Sequence, residues 1–330
     1  MRTGLQRIPS HWTRERDVPR CPITYDDIPA GKYSDPGLRR LSRRLSRRLI
    51  GLRDLPFTAG ELRREALARA TKMSIQGLQP KLSAVLNVPE QRFDIVDLGG
   101  QYILKPPIPD YPEVPENEDV TMRMAEAAGV EVPMHGMIYT ADGALCYFIR
   151  RFDRVGQAGK RAVEDFAQLL GYTRETKYDS SLELVIGVIN RYCTFPVVER
   201  LKLFRRVLFA FLCGNEDMHL KNFSVIVRDN KVELSPAYDL VNTTIVLANP
   251  QEEMALPLAG KKSNIKRDTL LEYFARDRLE LTQRAIDSVL GDVRTARPQW
   301  ADLLDRSFLR EDLRMAYEEV LVERWNRLGL

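Results

Sequence analysis

The chain has 330 residues, of which 44% are hydrophobic and 29% charged, which excludes a disordered or fibrous protein and predicts about two domains. Fifty Lys and Arg residues against 46 Asp and Glu residues give a net charge of +4, too small by itself to indicate a nucleic-acid or membrane partner. Four widely spaced cysteines match neither a zinc site nor a secreted disulfide framework. No apolar run approaches the ~20 residues of a membrane-spanning helix. We therefore expect a cytoplasmic protein that neither spans nor binds a membrane.

The N-terminal part predicts two helices. Leucines recur at helical spacing in the run Leu38 to Ile50, and Asp35 before Pro36 is suited to the start of an amphipathic helix. Its arginine face, Arg39 to Arg48, is compatible with a solvated surface and with a dock for an acidic partner or nucleic acid, and the sequence does not decide between them. A second short helix is predicted near Glu61 to Ala70.

The next segment, Ser74 to Arg151, predicts a small lobe of mixed strands and helix. Two strands around Gly99-Gly100 form a predicted hairpin, a helix follows, and a second hairpin turns at Asp142-Gly143. In chain order these elements are predicted at 93–96, 102–105, 116–128, 134–140 and 145–151.

Beyond Val163 the apolar residues switch to helical spacing, which predicts a mainly helical second lobe. Its helices are expected at 163–170, 181–193, 197–213, 269–290 and 312–327. The fold class is therefore α+β with two lobes and a binding cleft between them. The predicted division is an N-terminal basic helical segment 1–73 packed on the small lobe, a small lobe 74–154, and a helical lobe 155–330, with the boundary in the glycine-containing linker 151–160.

The residues that carry chemistry follow the most apolar predicted helix. Asp217 and Asn222 are five positions apart in a polar loop before a strand at 223–228, and a short turn and a strand at 232–234 lead to Asp239. Protein kinases use this spacing for a catalytic aspartate and a metal-binding asparagine, and use a second aspartate as a metal ligand. Oxygen ligands of this kind suit Mg²⁺. We therefore predict a phosphoryl-transfer site in which Asp217 orients or deprotonates the attacking hydroxyl.

A phosphate-binding lysine is expected on a strand of the small lobe. Lys105 ends the apolar run 102–105, where lysine is rare without a partner. Glu118 in the following helix is its predicted partner and Glu116 a close competitor, with a solvated surface pair as the alternative. The polar loop Ser74 to Lys81 contains one glycine, so its spacing alone predicts a loop and not a phosphate cradle.

Together these segments resemble the HipA-like serine/threonine kinase toxins. The resemblance runs from about residue 74 to residue 239, and its motifs occur in the family's order: Ser74 to Lys81, Ile103 to Pro106, Asn117-Glu118, Arg151 to Arg154, Asp217 to Asn222 and Ala237 to Leu240. It implies a protein-kinase-like fold, ATP and Mg²⁺ as cofactors, Asp217 as the base, and Asn222 and Asp239 as metal ligands.

The resemblance also implies nucleotide contacts and a regulatory site. The residues that it places on or beside the nucleotide are Lys105 with its partner Glu118, Lys81, Gly77, Gln79, Arg150, Phe152, Asp153 and His219, the last with a structural histidine as the alternative. Ser74 is implied as the autophosphorylated residue, whose added phosphate would repel those of ATP. Gln76 stands where some relatives carry a second serine, so regulation through Ser74 alone is expected.

The short stretch before this loop makes the chain resemble the HipT kinases of three-gene toxin–antitoxin systems. Full-length HipA proteins carry an additional N-terminal subdomain that a HipS-like small antitoxin supplies in those systems. The implied partners are therefore a HipS-like protein and a HipB-like DNA-binding antitoxin, with DNA reached only through the antitoxin. The implied protein substrate is an aminoacyl-tRNA synthetase, tryptophanyl-tRNA synthetase if the HipT likeness extends to substrate choice, and its phosphorylation would inhibit translation.

Three other classes of protein fit parts of the same pattern. A small-molecule phosphotransferase would use the same aspartates and asparagine, and a catalytically silent regulator would bind ATP and Mg²⁺ without transferring phosphate. A nucleic-acid-binding module would rest on the arginine face of the N-terminal helix. No motif is found beyond Leu240.

Overall fold

The computed structural model describes residues 19–46, 51–69, 80–111, 113–156, 159–173, 175–247 and 250–330. Within these ranges an antiparallel sheet has the strand order β2-β1-β3-β5-β4 and consists of β1 (Leu82–Asn87), β2 (Arg92–Ile95), β3 (Tyr102–Lys105), β4 (His135–Tyr139) and β5 (Leu145–Arg150). The predicted hairpin of β4 and β5 is confirmed by their pairing. The other predicted hairpin is wrong, because β1 lies between β2 and β3 and pairs with both.

Gly100 explains the error. Gly99 has φ +75° and makes a turn, but Gly100 lies against β1, where a Cβ atom would stand 1.9 Å from Ser83 Oγ. The backbone N–H of the next residue, Gln101, donates to the Ala84 carbonyl at 2.9 Å. The second glycine therefore permits the close approach of a third strand instead of closing a two-strand turn.

The side chains of the sheet alternate between two cores. On β5, Cys146 and Phe148 pack with buried residues of the segment 21–66, whereas Tyr147 and Ile149 pack with α4 (Val114–Ala127) and with the core of the chain beyond 163. The helix predicted at 116–128 is thus confirmed, two residues earlier at its start. We call the sheet β1–β5 the small lobe and residues 163–330 the large lobe. The apolar core of the large lobe continues through α4 to the small lobe.

The predicted basic helix is divided into two short helices. α1 (Asp35–Leu41) is capped by Ser34, whose side chain accepts the Gly37 N–H, so Ser34 and not Asp35 is the N-cap. The chain becomes extended at Ser42, whose hydroxyl accepts the Arg44 N–H, and continues as α2 (Arg43–Ser46). This local side-chain bond competes with the helix and makes the prediction of one continuous helix wrong. Residues 47–50 lie outside the described ranges, and α3 (Ala59–Arg69) confirms the second predicted helix.

The linker and a small sheet lead into the large lobe. β6 (Arg154–Val155) pairs with β7 (Gly159–Lys160), and β8 (Val163–Asp165), β9 (Ser224–Arg228) and β10 (Lys231–Leu234) form a sheet in the order β10-β9-β8. The strands predicted at 223–228 and 232–234 are confirmed. The prediction of a helix at 163–170 is correct only for α5 (Phe166–Leu170). The first three residues form β8, which pairs with β9, and Asp165 at the end of β8 forms the capping box that starts α5.

The large lobe is otherwise helical, as predicted. α6 (Leu182–Tyr192), α7 (Pro196–Leu212) and α9 (Glu311–Leu328) match three predicted helices. The helix predicted at 269–290 is instead a wider π-helical segment, Thr269–Arg278, followed by α8 (Gln283–Arg306). Thr282 caps α8 by accepting the Ala285 N–H and so begins a new helix inside the predicted one. α4 rests on α8, where Trp300 Nε1 donates to the Met124 carbonyl at 2.8 Å.

Residues 19–28, which we call the N-terminal clasp, connect the two lobes. The Pro22 carbonyl accepts the Met137 N–H of β4 at 3.1 Å. On the other side, Arg306 at the end of α8 donates to the Tyr25 carbonyl at 2.5 Å, and Arg20 donates to the Asp305 carbonyl at 3.2 Å. The small lobe is thus attached to the large lobe by the clasp as well as by the linker. In the part of the chain that the structure describes, no helix is long and apolar enough to cross a membrane.

Candidate active site

A buried ion cluster lies where β3, α4 and the segment after β10 meet. Lys105 Nζ, at the end of β3, lies 2.5 Å from Glu118 Oε1 on α4 and also donates to Asp239 Oδ1. Lys81 Nζ donates to the other oxygen of Asp239 at 3.0 Å. The Lys105 side chain is 3% exposed and that of Glu118 is fully buried, so the alternative of a solvated surface pair is wrong. Glu118, and not Glu116, contacts Lys105.

The cluster fixes the charges of Lys105 and Asp239. Burial acts to raise the pKa of Asp239, but the ammonium groups of Lys105 and Lys81 outweigh it and hold that pKa far below its ordinary value. Burial acts to lower the pKa of Lys105, but Asp239 and Glu118 raise it overall. Burial raises the pKa of Glu118 to about 7 against the opposing effect of Lys105. Lys105 and Asp239 are therefore a charged pair at neutral pH.

Asp239 reaches the cluster because of its backbone. Its φ of +55° is in the left-handed region, where aspartate is one of the more tolerant residue types. Four residues earlier, Ser235 still continues β10 by donating its N–H to the Ser224 carbonyl of β9. The turn after the strand thus directs the carboxylate to the two lysines instead of continuing the sheet.

A polar loop from Gly214 to Asn222 follows α7 and brings the predicted base and asparagine together. Asn222 Nδ2 donates to the Asp217 carbonyl at 2.8 Å, which leaves its Oδ1 as the atom suited to a metal. The Asp217 carboxylate is 45% exposed, and its Oδ1 accepts a hydrogen bond from the Tyr178 hydroxyl. Asp217 is therefore accessible to an incoming hydroxyl while its orientation is fixed from one side.

His219 lies beside Asp217 and is neutral. Burial lowers its pKa, Asp217 acts in the opposite direction, and Lys177 lowers the pKa further. Its Nε2 lies 2.6 Å from Lys177 Nζ and 4.0 Å from Asp217 Oδ1. Because an ammonium group only donates, Nε2 accepts and the ring proton is on Nδ1.

The base of this loop is clamped by residues that follow Asp239. The Gly214 carbonyl accepts the N–H groups of Thr243 at 3.0 Å and Thr244 at 3.2 Å. Gly214 has φ +77°, and a Cβ atom there would stand 2.6 Å from Asn242 Oδ1, so glycine is required. Asn242 is in turn bound by Asn117 of α4, whose amide donates to its carbonyl at 3.0 Å and accepts its N–H at 2.9 Å. One connected set of hydrogen bonds thus joins α4, the Asp239 segment and the Asp217 loop.

The C-terminal helix α9 supports the same loop. Arg324 is 4% exposed, donates to the Phe211 carbonyl at 2.6 Å and to Thr244 Oγ1 at 3.3 Å, and lies 3.8 Å from Glu216 Oε1. Thr244 also donates to Glu216 Oε1 at 2.6 Å. The C-terminal region, in which the sequence shows no motif, therefore contributes structure to the site.

The predicted hinge residues lie next to the site in the linker. Phe152 stacks on Tyr238, the neighbour of Asp239, with ring centroids 5.6 Å apart. Asp153 is bound by Arg151 through two hydrogen bonds of 3.0 and 2.9 Å. The Arg150 side chain is exposed, and its backbone N–H donates to the Met134 carbonyl. The structure thus holds Phe152 against the neighbour of Asp239, pairs Asp153 with Arg151, and leaves the Arg150 side chain in solvent.

Some predicted residues lie outside the described ranges, and some residues at the site were not predicted. Ser74, Gln76, Gly77 and Gln79 belong to the segment 70–79, which the structure does not describe. Lys177, Tyr178 and Asn242 were missed, because nothing in their local sequence signals a contact across the fold. Asn117 was noted only as part of a motif. The Glu116 side chain is not the one that contacts Lys105, and burial raises its pKa to about 8.

The donor set fits a magnesium ion. Within the described ranges no group of three or more histidine, cysteine or acidic side chains is arranged to hold a metal. A kinase-type site does not need such a group of side chains, because Mg²⁺ is held there by a carboxylate, an amide oxygen and the phosphates of the nucleotide. Asp239 and Asn222 would supply that carboxylate and that amide oxygen, a donor set that suits Mg²⁺ and not a soft metal.

A small sheet lobe, a mainly helical lobe, a buried lysine–glutamate pair and an Asp-x₄-Asn loop together define the protein-kinase-like fold class. The family model described as the HipA-like C-terminal domain matches residues 73–300, and the chain belongs to this family. A solved structure of the Shewanella oneidensis toxin–antitoxin complex of HipA, HipB and operator DNA shares the fold, with a TM-score of 0.66 and 22% identity over 84% of this chain and 72% of that chain.

Curated relatives from two bacteria are similar in sequence. A Haemophilus influenzae protein named "Putative kinase" is 33% identical over 229 residues, which are 63% of this chain and 64% of that protein. The serine/threonine-protein kinase toxin HipA of Shewanella oneidensis is 31% identical over 191 residues, 52% of this chain and 43% of that protein. The chain therefore spans less than two thirds of the length of these relatives.

Proposed function

We propose that this chain is an ATP- and Mg²⁺-dependent serine/threonine protein kinase and the toxin of a HipA/HipT-type toxin–antitoxin system. The observation that carries the proposal is the ion cluster of Lys105, Glu118 and Asp239 in a HipA-family chain, with Asp217 and Asn222 on the neighbouring loop. The chemistry of that donor set is phosphoryl transfer, which depends on positioning and charge neutralisation.

Each residue of the site has a separate role in the proposed reaction. Lys105 and Lys81, which now share the carboxylate of Asp239, are placed to bind phosphate oxygens of ATP. Glu118 holds Lys105 in place, and Phe152 and Asp153 are the proposed contacts of the nucleotide base and ribose. Bound Mg²⁺ would neutralise charge on the phosphates, held by Asn222 and Asp239. Asp217 accepts the proton of the attacking serine or threonine hydroxyl.

The finer parts of the proposal follow the family resemblance. The substrate is an aminoacyl-tRNA synthetase, with tryptophanyl-tRNA synthetase favoured, so that phosphorylation stops translation in the cytoplasm. Ser74 is the site of autophosphorylation, and a phosphate there would repel ATP. The partners are a HipB-like antitoxin, through which the chain reaches DNA, and a small HipS-like antitoxin. The HipA, HipB and operator DNA complex of Shewanella oneidensis supports the HipB-like partner.

The test is phosphate transfer by the purified full chain. Labelled ATP, Mg²⁺ and a bacterial lysate are added to the wild type, to Asp217→Asn and to Asp229→Asn, a matched control in the exposed turn between β9 and β10. We expect a labelled lysate protein and a labelled Ser74 peptide with the wild type and the control. Asp217→Asn should lose both signals and the growth arrest on expression while keeping its fold.

Each rival class gives a different result. Label only in small molecules would indicate a small-molecule phosphotransferase. Binding of ATP and Mg²⁺ without any transfer would indicate a silent regulator. Growth arrest by a folded Asp217→Asn variant would contradict the assignment of the base, and phosphate on a residue other than Ser74 would contradict the regulatory site.

A further inference from the structure

Two neighbouring residues of the loop before α6 contact the Asp217 loop. The Tyr178 hydroxyl donates to Asp217 Oδ1, and Lys177 Nζ lies 2.6 Å from His219 Nε2. The Leu220 N–H donates to the Lys177 carbonyl at 3.4 Å, so the backbone is attached as well. These contacts span about 40 residues of sequence, and the resemblance to the kinase family assigned no role to either side chain.

The contact with His219 brings the Lys177 ammonium to the acceptor side of the site. The same ring nitrogen, His219 Nε2, lies 2.6 Å from Lys177 Nζ and 4.0 Å from Asp217 Oδ1. Asp217 is the group that would face the substrate hydroxyl. Lys177 therefore lies beside the place where the phosphoryl group arrives, and not beside the place where ATP is anchored.

Three other lysines near the site contact carboxylates. Lys105 and Lys81 both bind Asp239, on the anchoring side. Lys221 belongs to the Asp217 loop itself, but its ammonium lies 2.7 Å from Asp165 Oδ2 at the start of α5. Lys221, which is nearer to Asp217 in sequence, is thus paired with Asp165. Lys177 instead contacts His219, which lies beside Asp217.

A cation at this position would stabilise the transition state of phosphoryl transfer. The transferring group spreads negative charge over its oxygens between the leaving and the attacking oxygen, and a preorganised cation is most effective where that charge develops. Protein kinases anchor ATP with one lysine and neutralise the transferring group separately.

We propose that Lys177, oriented by His219, is the catalytic cation that neutralises the transferring phosphoryl group in this chain. The proposal deepens the kinase function above and rests on it. As the bond from phosphorus to the serine or threonine oxygen forms, the bond from phosphorus to the ADP oxygen breaks and carries its electron pair to ADP. The hydroxyl proton goes to Asp217. Lys177 keeps its own proton throughout and donates hydrogen bonds to the transferring oxygens.

The experiment compares Lys177→Met, Lys177→Arg and the matched control Lys221→Met in the full chain. Three quantities are measured: kcat for phosphate transfer to protein, the Kd for a fluorescent ATP analogue with Mg²⁺, and the melting temperature. We expect Lys177→Met to lower kcat about 100-fold with Kd changed less than about threefold, since the contact forms in the transition state. Lys177→Arg should recover part of the loss, and Lys221→Met, whose ammonium is held by Asp165, should lower kcat clearly less than Lys177→Met.

Several results would overturn the proposal. One is a Lys177→Met kcat within about threefold of the wild type, and another is a Kd for the ATP analogue that rises as much as kcat falls, which would make Lys177 a ground-state nucleotide contact. An equal loss in Lys221→Met would indicate a general effect of charge near the loop. The failure of the kinase function itself would show differently, because the wild type would then bind the analogue without transferring phosphate, or would not bind it.

Discussion

Replacing Asn117 by alanine tests whether α4 is locked to the active-site segments. The Asn117 amide donates to the Asn242 carbonyl at 3.0 Å, accepts the Asn242 N–H at 2.9 Å and accepts the Thr121 hydroxyl at 3.2 Å. Asn117 is 1% exposed and Asn242 is fully buried, so water cannot replace these contacts easily. The substitution leaves one buried backbone donor and one buried backbone acceptor without their partner.

The expected magnitude follows from those two groups. Leaving a buried polar group unsatisfied costs about 1 to 3 kcal/mol, so Asn117→Ala should lower the free energy of unfolding by about 2 to 6 kcal/mol. Thr121→Val is the matched control on the same helix. It removes a buried hydroxyl that also contacts the Tyr317 hydroxyl at 2.9 Å but leaves the pairing with Asn242 intact. We expect a loss of about 1 to 2 kcal/mol for this control.

The assay is urea unfolding of both variants and the wild type, followed by circular dichroism, with the slope of the transition compared among them. An Asn117→Ala variant no less stable than Thr121→Val would refute the reasoning. It would mean that water or a shifted backbone satisfies Asn242, and that α4 is held by its apolar packing alone.

Three further outcomes are expected. Burial lowers the pKa of His135, so the unfolded chain binds a proton there that the folded chain does not. Relative to His135→Gln, the wild type should therefore lose free energy of unfolding as the pH drops below about 6.5, which melts of both proteins between pH 7 and 5 would show. Tyr178→Phe removes the hydrogen bond that orients the Asp217 carboxylate, so kcat for phosphate transfer should fall by up to about tenfold, and an unchanged kcat would contradict this positioning role. Arg324→Met should lower the free energy of unfolding by about 2 to 4 kcal/mol in chemical denaturation because Glu216 loses its nearest cation, and an unchanged midpoint would contradict this.

The sequence was most informative where chemistry and local pattern coincide. The Asp217 loop, Asp239 and Lys105 were located from spacing and from strand ends, and the structure brings Lys105 and Asp239 into contact. Glu118 was chosen over Glu116, and the contact with Lys105 agrees with that choice. Local spacing decides such questions because residues one helical turn apart, or at the end of one strand, have nearly fixed relative positions.

Where the sequence failed, the deciding contact lies far away along the chain. The glycine pair at 99–100 looks like a hairpin turn, and only the tertiary structure shows β1 inserted against Gly100. The segment 163–165 has helical periodicity, but pairing with β9 makes it a strand. Tyr178 and Lys177 contact the Asp217 loop, although about 40 residues of sequence separate them from it. No local propensity encodes these contacts, because each depends on which surfaces the folded chain brings together.

The N-terminal clasp also restricts how the two lobes can move. A body attached to its neighbour at a single hinge can swing or twist in several directions, whereas one attached at two points can rotate only about the line that joins them. With contacts to Met137 on one side and to Arg306 and Asp305 on the other, the clasp is such a second point. Opening of the two lobes would then follow one rotational path, and cutting the chain after residue 28 would loosen the attachment that the clasp provides.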